Sequence, residues 1–266
     1  MNKKIIIANW KMNPATGKEA EKLFKDINKS VSLLKLKNTE VVICPPVIYL
    51  ENFKKISLGR SRTGEAKKIM LGAQNIFPGD VGAYTGEVSV KMLQSLGVKY
   101  VILGHSERRA MGESNVVINK KIKAVLSLGL TPVLCIGENE RDENHEYFNI
   151  VNTQIAECLS GISKNSLARV IIAYEPVWSI STTLNHKDAT PVDSKEMVIF
   201  IRKIISNIYS PQIAKEVKVI YGGSVNEKNV SEFLINGGVS GALVGGASLN
   251  QKKFGDIIKI CETLNN

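Results

Sequence analysis

Eight short, continuous runs of apolar and mostly β-branched residues recur along the chain: Ile5–Ala8, Val41–Cys44, Met70–Ala73, Tyr100–Leu103, Pro132–Ile136, Val170–Ala173, Val217–Tyr221 and Gly241–Val244. Strands that face water on one side alternate apolar and polar residues, whereas strands covered on both faces do not. These runs therefore predict a parallel sheet under helices. The intervening segments carry helical periodicity. Ala20, Leu23, Phe24 and Ile27 form one stripe, and Ile118, Ile122, Val125 and Leu126 form another that ends at Gly129. Thr190-Pro191 reads as an N-cap with proline at the first helical position, and Asn226 is expected to open a helix that ends near Gly237. Strand starts fall about 34 residues apart with no linker-like shift in composition, so residues 1–266 are expected to form one α/β domain.

Polar residues cluster just after these runs: Asn9 and Lys11 follow the first, His105 the fourth, Glu175 the sixth, Ser224 the seventh and Gly245-Gly246 the eighth. In an open sheet ordered as the sequence, the first and eighth strands would lie about 33 Å apart at ~4.8 Å per step, too far to share a small ligand. Closing the sheet brings all these positions to one rim. The predicted fold is therefore an eight-stranded parallel β/α barrel with its chemistry at the carboxyl ends.

Each candidate has its own chemical reason. Asn9 and Lys11 point the same way if the first strand continues through Trp10, and Lys11 could then neutralise an anion. His105 precedes Ser106-Glu107, a sequence suited to opening a helical turn. The positive end of such a turn disfavours imidazolium and favours a neutral ring. Glu175 ends an apolar strand, where a carboxylate without a purpose is costly, so it is a candidate general base; Pro176 keeps its backbone out of the helical region. The paired glycines at Gly222-Gly223 and Gly245-Gly246 expose main-chain N–H groups suited to an anion. From Pro176 to Ala189 a loop without apolar periodicity reads as a lid or binding loop.

Charge and cysteine usage exclude other classes. The net charge of +10 is concentrated in residues 1–70, which hold 15 basic and 6 acidic residues. Those lysines sit at helical spacing among leucines rather than among aromatics, which predicts a solvated face rather than a nucleic-acid surface. Cys44, Cys135, Cys158 and Cys261 are widely spaced and read as reduced, buried thiols; together with the lack of a leader-like or spanning segment, this predicts a cytoplasmic protein without a bound metal.

The order Asn9-Trp10-Lys11-Met12-Asn13, Ala73-Gln74-Asn75, Gly82–Glu87, Gly104-His105-Ser106-Glu107-Arg108-Arg109, Ala173–Trp178, Tyr221–Ser224 and Gly241–Leu249 resembles the triosephosphate isomerase family over nearly the whole chain. The resemblance implies interconversion of dihydroxyacetone phosphate and glyceraldehyde 3-phosphate through an enediolate, a step of glycolysis and gluconeogenesis, without metal or organic cofactor. It implies that Glu175 is the base, that His105 is a neutral electrophile and proton shuttle, that Lys11 with Asn9 stabilises negative charge, and that Glu107 is an acid beside the site. It further implies phosphate binding by the backbone at Ser181, Ser224, Gly245 and Gly246. A homodimer is implied too, in which the Gln74–Glu87 loop enters the neighbour and Thr85 lies near the partner's site.

Departures from the family fall in the lid. The usual Ala-Ile-Gly-Thr-Gly after the tryptophan reads Ser179-Ile180-Ser181-Thr182-Thr183 here, and Leu184–Asp188 precede Ala189-Thr190-Pro191. The stretch Ser57–Lys68 is also longer and more basic than the family pattern. Two other readings follow: another phosphate-binding barrel, which as an aldolase would need a Schiff-base lysine or ligating histidines, or a phosphate-binding barrel protein whose altered lid impairs turnover.

Overall fold

The computed structural model describes residues 3–58, 69–180 and 187–264. Eight strands, β1 (Lys4–Asn9), β2 (Thr39–Cys44), β3 (Ile69–Ala73), β4 (Tyr100–Leu103), β5 (Thr131–Ile136), β6 (Ile171–Tyr174), β7 (Lys218–Tyr221) and β8 (Gly241–Val244), pair in chain order and close on themselves. Every pairing is parallel. The eight apolar runs thus each became a strand, two of them with identical bounds and the rest with one or both ends shifted by at most two residues. The fold is the expected parallel β/α barrel.

The helices are α1 (Gly17–Leu33), α2 (Leu50–Leu58), α3 (Val90–Ser95), α4 (Ser106–Ala110), α5 (Asn115–Ser127), α6 (Glu146–Cys158), α7 (Lys164–Leu167), α8 (Pro191–Ile208), α9 (Pro211–Glu216), α10 (Val230–Asn236) and α11 (Gln251–Thr263). Their ends follow local chemistry. Thr16 and Thr190 close capping boxes with Glu19 and Asp193, and Gly129 takes a left-handed φ of 75° just beyond α5. One expected start is corrected. Asn226 opens a turn rather than α10, because Asn229 Oδ1 accepts from the Asn226 N–H at 2.9 Å while Asn226 Oδ1 accepts from the Lys228 N–H at 2.8 Å. Those side-chain bonds satisfy the backbone locally and delay the helix to Val230.

Two apolar clusters result. One consists wholly of strand residues, among them Ile5, Ile7, Val133, Ala173 and Leu243, and fills the barrel. The other joins the outer faces of the strands to the helices. In it Phe24 of α1 stacks on Phe53 of α2 with centroids 4.2 Å apart, and Phe53 meets Trp10 edge-on at 5.5 Å. Each such ring contributes roughly 1.5–3 kcal/mol by leaving water, and truncating Phe24 to alanine would cost about 3–5 kcal/mol with its cavity included. Opposite this face, Lys22 and Lys25 are solvated and paired with Asp26 and Glu21, as the spacing predicted. All four cysteines are free and buried. Among the described residues no helix is long and apolar enough to cross a membrane.

Candidate active site

At the carboxyl end of the strands lies a cavity of about 480 Å³, lined among others by Asn9, Lys11, His105, Glu175, Ser224 and Gly245. The closed sheet thus brings together residues up to 236 positions apart in sequence.

Lys11 arrives by a different route from the one expected. β1 ends at Asn9, and Lys11 adopts a left-handed φ of 53°. Its N–H donates to Asn9 Oδ1 at 3.0 Å, and Gln74 Nε2 donates to the Lys11 and Cys44 carbonyls at 2.8 and 2.9 Å. Buried Trp10 anchors the turn in the aromatic cluster. The two polar side chains therefore meet through a locked turn, not through strand alternation. Lys11 Nζ pairs with Glu107 Oε1 at 2.6 Å.

His105 is the N-cap of α4. Its Nδ1 accepts the Glu107 N–H at 3.2 Å, so that nitrogen carries no proton and the neutral ring keeps its proton on Nε2. Nε2 faces Glu175 Oε1 at 3.4 Å. The other carboxylate oxygen, Oε2, accepts from the Ser106 N–H at 3.1 Å. Glu175 is only 2% exposed and directly continues β6, with its own N–H donated to the Ile136 carbonyl at 2.7 Å.

Two glycines make room for that carboxylate. A Cβ on Gly222 would stand 2.7 Å from Glu175 Cγ, and one on Gly137 would stand 1.8 Å from the Glu175 carbonyl oxygen. Beside this carboxylate, the Cys135 thiol is pushed well above its ordinary range, by burial first and by the Glu175 charge second. It stays a neutral neighbour, and the carboxylate meets no second negative charge there.

On the far wall, a Cβ on Gly246 would meet nothing within 4 Å and one on Gly245 only Lys11 Cε at 3.7 Å, so bare backbone faces the cavity. Ser224 spends its hydroxyl on the Ser179 carbonyl at 2.8 Å, leaving main chain as its available donor. Ser181, Thr182, Thr183 and most of the added lid residues lie outside the described residues, as does most of the basic Ser57–Lys68 stretch.

The Gln74–Glu87 loop is part core and part surface. Ile76, at 2% exposure, belongs to the cluster between strands and helices, while Val81 and Tyr84 are exposed. Thr85 is exposed and does not line this cavity of its own chain.

One supporting residue lies outside the candidates read from the sequence. Glu138, fully buried, accepts through Oε1 from the Tyr174 hydroxyl at 2.8 Å, Trp178 Nε1 at 2.9 Å and Arg141 Nε at 3.1 Å. It thereby clamps the segment just after Glu175. A signal for it exists in the sequence: it is a carboxylate two residues past the end of an apolar strand, much as Glu175 follows another.

The family described as triosephosphate isomerase matches residues 4–261. Relatives described as triosephosphate isomerase include one from Caldanaerobacter subterraneus subsp. tengcongensis, 42% identical over 97% of this chain and 99% of its own. Another, from Dictyoglomus thermophilum, is 42% identical over 97% of this chain and 100% of its own. A third, from Dehalococcoides mccartyi, is 43% identical over 98% of this chain and 97% of its own.

Proposed function

This chain belongs to the triosephosphate isomerase family, and from that membership and the rim geometry we propose that it interconverts dihydroxyacetone phosphate and D-glyceraldehyde 3-phosphate by proton transfer through an enediolate. The observation that carries the reading is one cavity in which a buried carboxylate, a histidine neutral by its hydrogen bonding and a lysine converge.

In this reading Glu175 removes the carbon-bound proton. Its Oε2 is anchored to main chain by the Ser106 N–H, while the buried Oε1, 3.4 Å from His105 Nε2, accepts no hydrogen bond among the described residues and is the oxygen open to a proton. Negative charge then develops on the substrate oxygens. The His105 Nε2–H donates toward them, and a neutral ring donates without having to give up a full charge at each turnover. Lys11, with Asn9 beside it, supplies the compensating positive charge, and Glu107 fixes the ammonium in place. The main chain at Ser224, Gly245 and Gly246 forms the phosphate wall, with Ser181 as its expected fourth member.

We further read the chain as a homodimer. Val81 and Tyr84 are 83% and 53% exposed on the Gln74–Glu87 loop, and Met12 is 92% exposed near the site, an apolar surface that a second copy would cover. Thr85 would then approach the partner's cavity. A cytoplasmic compartment belongs to the same reading, supported by four free buried thiols.

A coupled assay on the purified protein, supplied with either triose phosphate, tests the activity; turnover in both directions is expected, and its absence overturns the reading. Light scattering tests the assembly: a dimer is expected at micromolar concentration, and a monomer there contradicts it.

A further inference from the structure

The barrel ladder does not run evenly to the rim. β4 and β5 pair as far as Leu103↔Leu134 and then part, although β5 continues to Ile136. Into the opening reach two side chains. Arg109 donates from Nε to the Gly104 carbonyl at 2.8 Å and from Nη2 to the Cys135 carbonyl at 3.2 Å. Gln154, in the middle of α6, binds the two main-chain groups of a single residue: its Oε1 accepts the Gly137 N–H at 2.9 Å and its Nε2 donates to the Gly137 carbonyl at 3.0 Å. A carboxamide has the same donor and acceptor pair as a peptide, so it replaces here the strand neighbour that Gly137 lacks.

Gly137 is the middle of three residues whose outer two carry the backbone of the base. The Ile136 carbonyl holds the Glu175 N–H at 2.7 Å, and the Glu138 carbonyl holds the Val177 N–H at 2.9 Å. Gly137 itself packs so closely on the Glu175 carbonyl that no side chain fits between them. Behind these groups lies a second cavity of about 330 Å³, lined by Arg109, Asn139 and Gln154 as well as by Gly137 and Glu175. The platform under the base is thus not backed by continuous packing on that side, and the Gln154 carboxamide is what crosses to it.

We propose that Gln154 is a positioning residue for Glu175, acting through the Gly137 peptide: it fixes the height and direction of the base at the rim without touching the substrate cavity. The inference rests on Glu175 being the base of the isomerase reaction. It separates from a merely structural role, because a helix residue that only adds stability would change the melting temperature and leave the turnover of folded enzyme alone.

Gln154→Leu keeps side-chain volume and removes both bonds, leaving the Gly137 N–H and carbonyl unpaired. Displacing a base by a fraction of an ångström weakens proton transfer, so kcat is expected to fall about tenfold or more with KM within twofold of the parent. Amide hydrogen exchange gives a readout free of activity: Glu175 and Val177 should lose protection while α6 keeps it.

Gln154→Glu supplies the second variant. A carboxylate still accepts the Gly137 N–H but cannot donate to the carbonyl, whereas the protonated carboxyl can do both. Its kcat relative to the parent should therefore recover as pH falls through the range of the introduced carboxyl, and Gln154→Leu should show no such recovery. If Gln154→Leu fails to fold, this pH profile decides the matter.

Unchanged kcat with lowered melting temperature and unaltered protection at Glu175 would overturn the proposal, as would a rise in KM at constant kcat or a flat Gln154→Glu ratio. A parent protein without turnover would sink the isomerase reading. In that event the exchange protection still tests whether Gln154 fixes this backbone.

Discussion

The two sides of the rim are built in contrasting ways. Between β1 and β2 the ladder runs unbroken from Lys4↔Thr39 to Asn9↔Cys44, and the Trp10 N–H extends it by donating to the Cys44 carbonyl at 3.1 Å. Lys11 is then presented by a left-handed turn on an aromatic anchor. Between β4 and β5 the ladder opens early, and side chains from the surrounding helices take over the released main-chain groups. In the proposed reaction the first side delivers charge and the second supports a proton acceptor. A cation acts over several ångströms and tolerates small displacement, whereas proton transfer requires near contact. The more demanding task is supported by specific polar side chains aimed at single peptides.

The most severe way to break this division is at the base. Glu175→Gln keeps the shape and the bond to the Ser106 N–H but cannot accept the substrate proton, so kcat should fall on the order of 10² or more with the fold intact. Steady-state kinetics with circular dichroism check both halves of that statement, and near-parental turnover would remove Glu175 from its role.

On the other side, Lys11→Met should act mainly through charge. Its side chain is about one-quarter exposed and its ammonium is already paired with Glu107, so screening moderates its effect. A loss of about tenfold to 10² in kcat/KM is expected, with a weaker dependence on ionic strength than the parent shows. A loss confined to kcat, with unaltered salt dependence, would mean that Lys11 does something other than balance charge.

The smallest effect sharpens the contrast through pH. Cys158, behind Arg109 on the open seam, has its thiol pushed up to about 11 by burial. The folded state therefore keeps its proton after the unfolded chain has lost it. The associated stability is complete below about pH 9, the ordinary thiol value, and is lost as pH rises through about 11. Melting temperature should decline across that window in the parent and decline less in Cys158→Ala; equal slopes would locate the alkaline loss elsewhere.

How much of this could be read from the chain follows the same division. The strands were legible because burial on both faces leaves an uninterrupted apolar run, and Glu175, His105 and Asn9 stood out as polar residues placed just after such runs. Glu138 obeys the same rule, two residues past the end of β5. Gln154 obeys no such rule. It lies in α6 beside Asn152 and Thr153, an ordinary polar stretch, and its partner is 17 residues away across the opened seam. Gln74 likewise acts on carbonyls 63 and 30 residues distant. Side chains that complete main chain elsewhere leave no periodicity, since their identity is set by a gap that exists only once the barrel has closed.

The left-handed backbone at Lys11 bears on how such a chain can change under selection. A non-glycine residue there costs on the order of 1 kcal/mol relative to glycine, and the Asn9 and Gln74 hydrogen bonds hold the conformation. A screen that rewarded heat resistance alone would accept Lys11→Gly readily, since the strain would vanish and the turn would survive. Every variant so obtained would be a sturdier barrel emptied of its cation. With the role proposed for Lys11, position 11 is a place where robustness and activity pull in opposite directions, and combinatorial libraries designed on this scaffold should hold it fixed while the helices are varied.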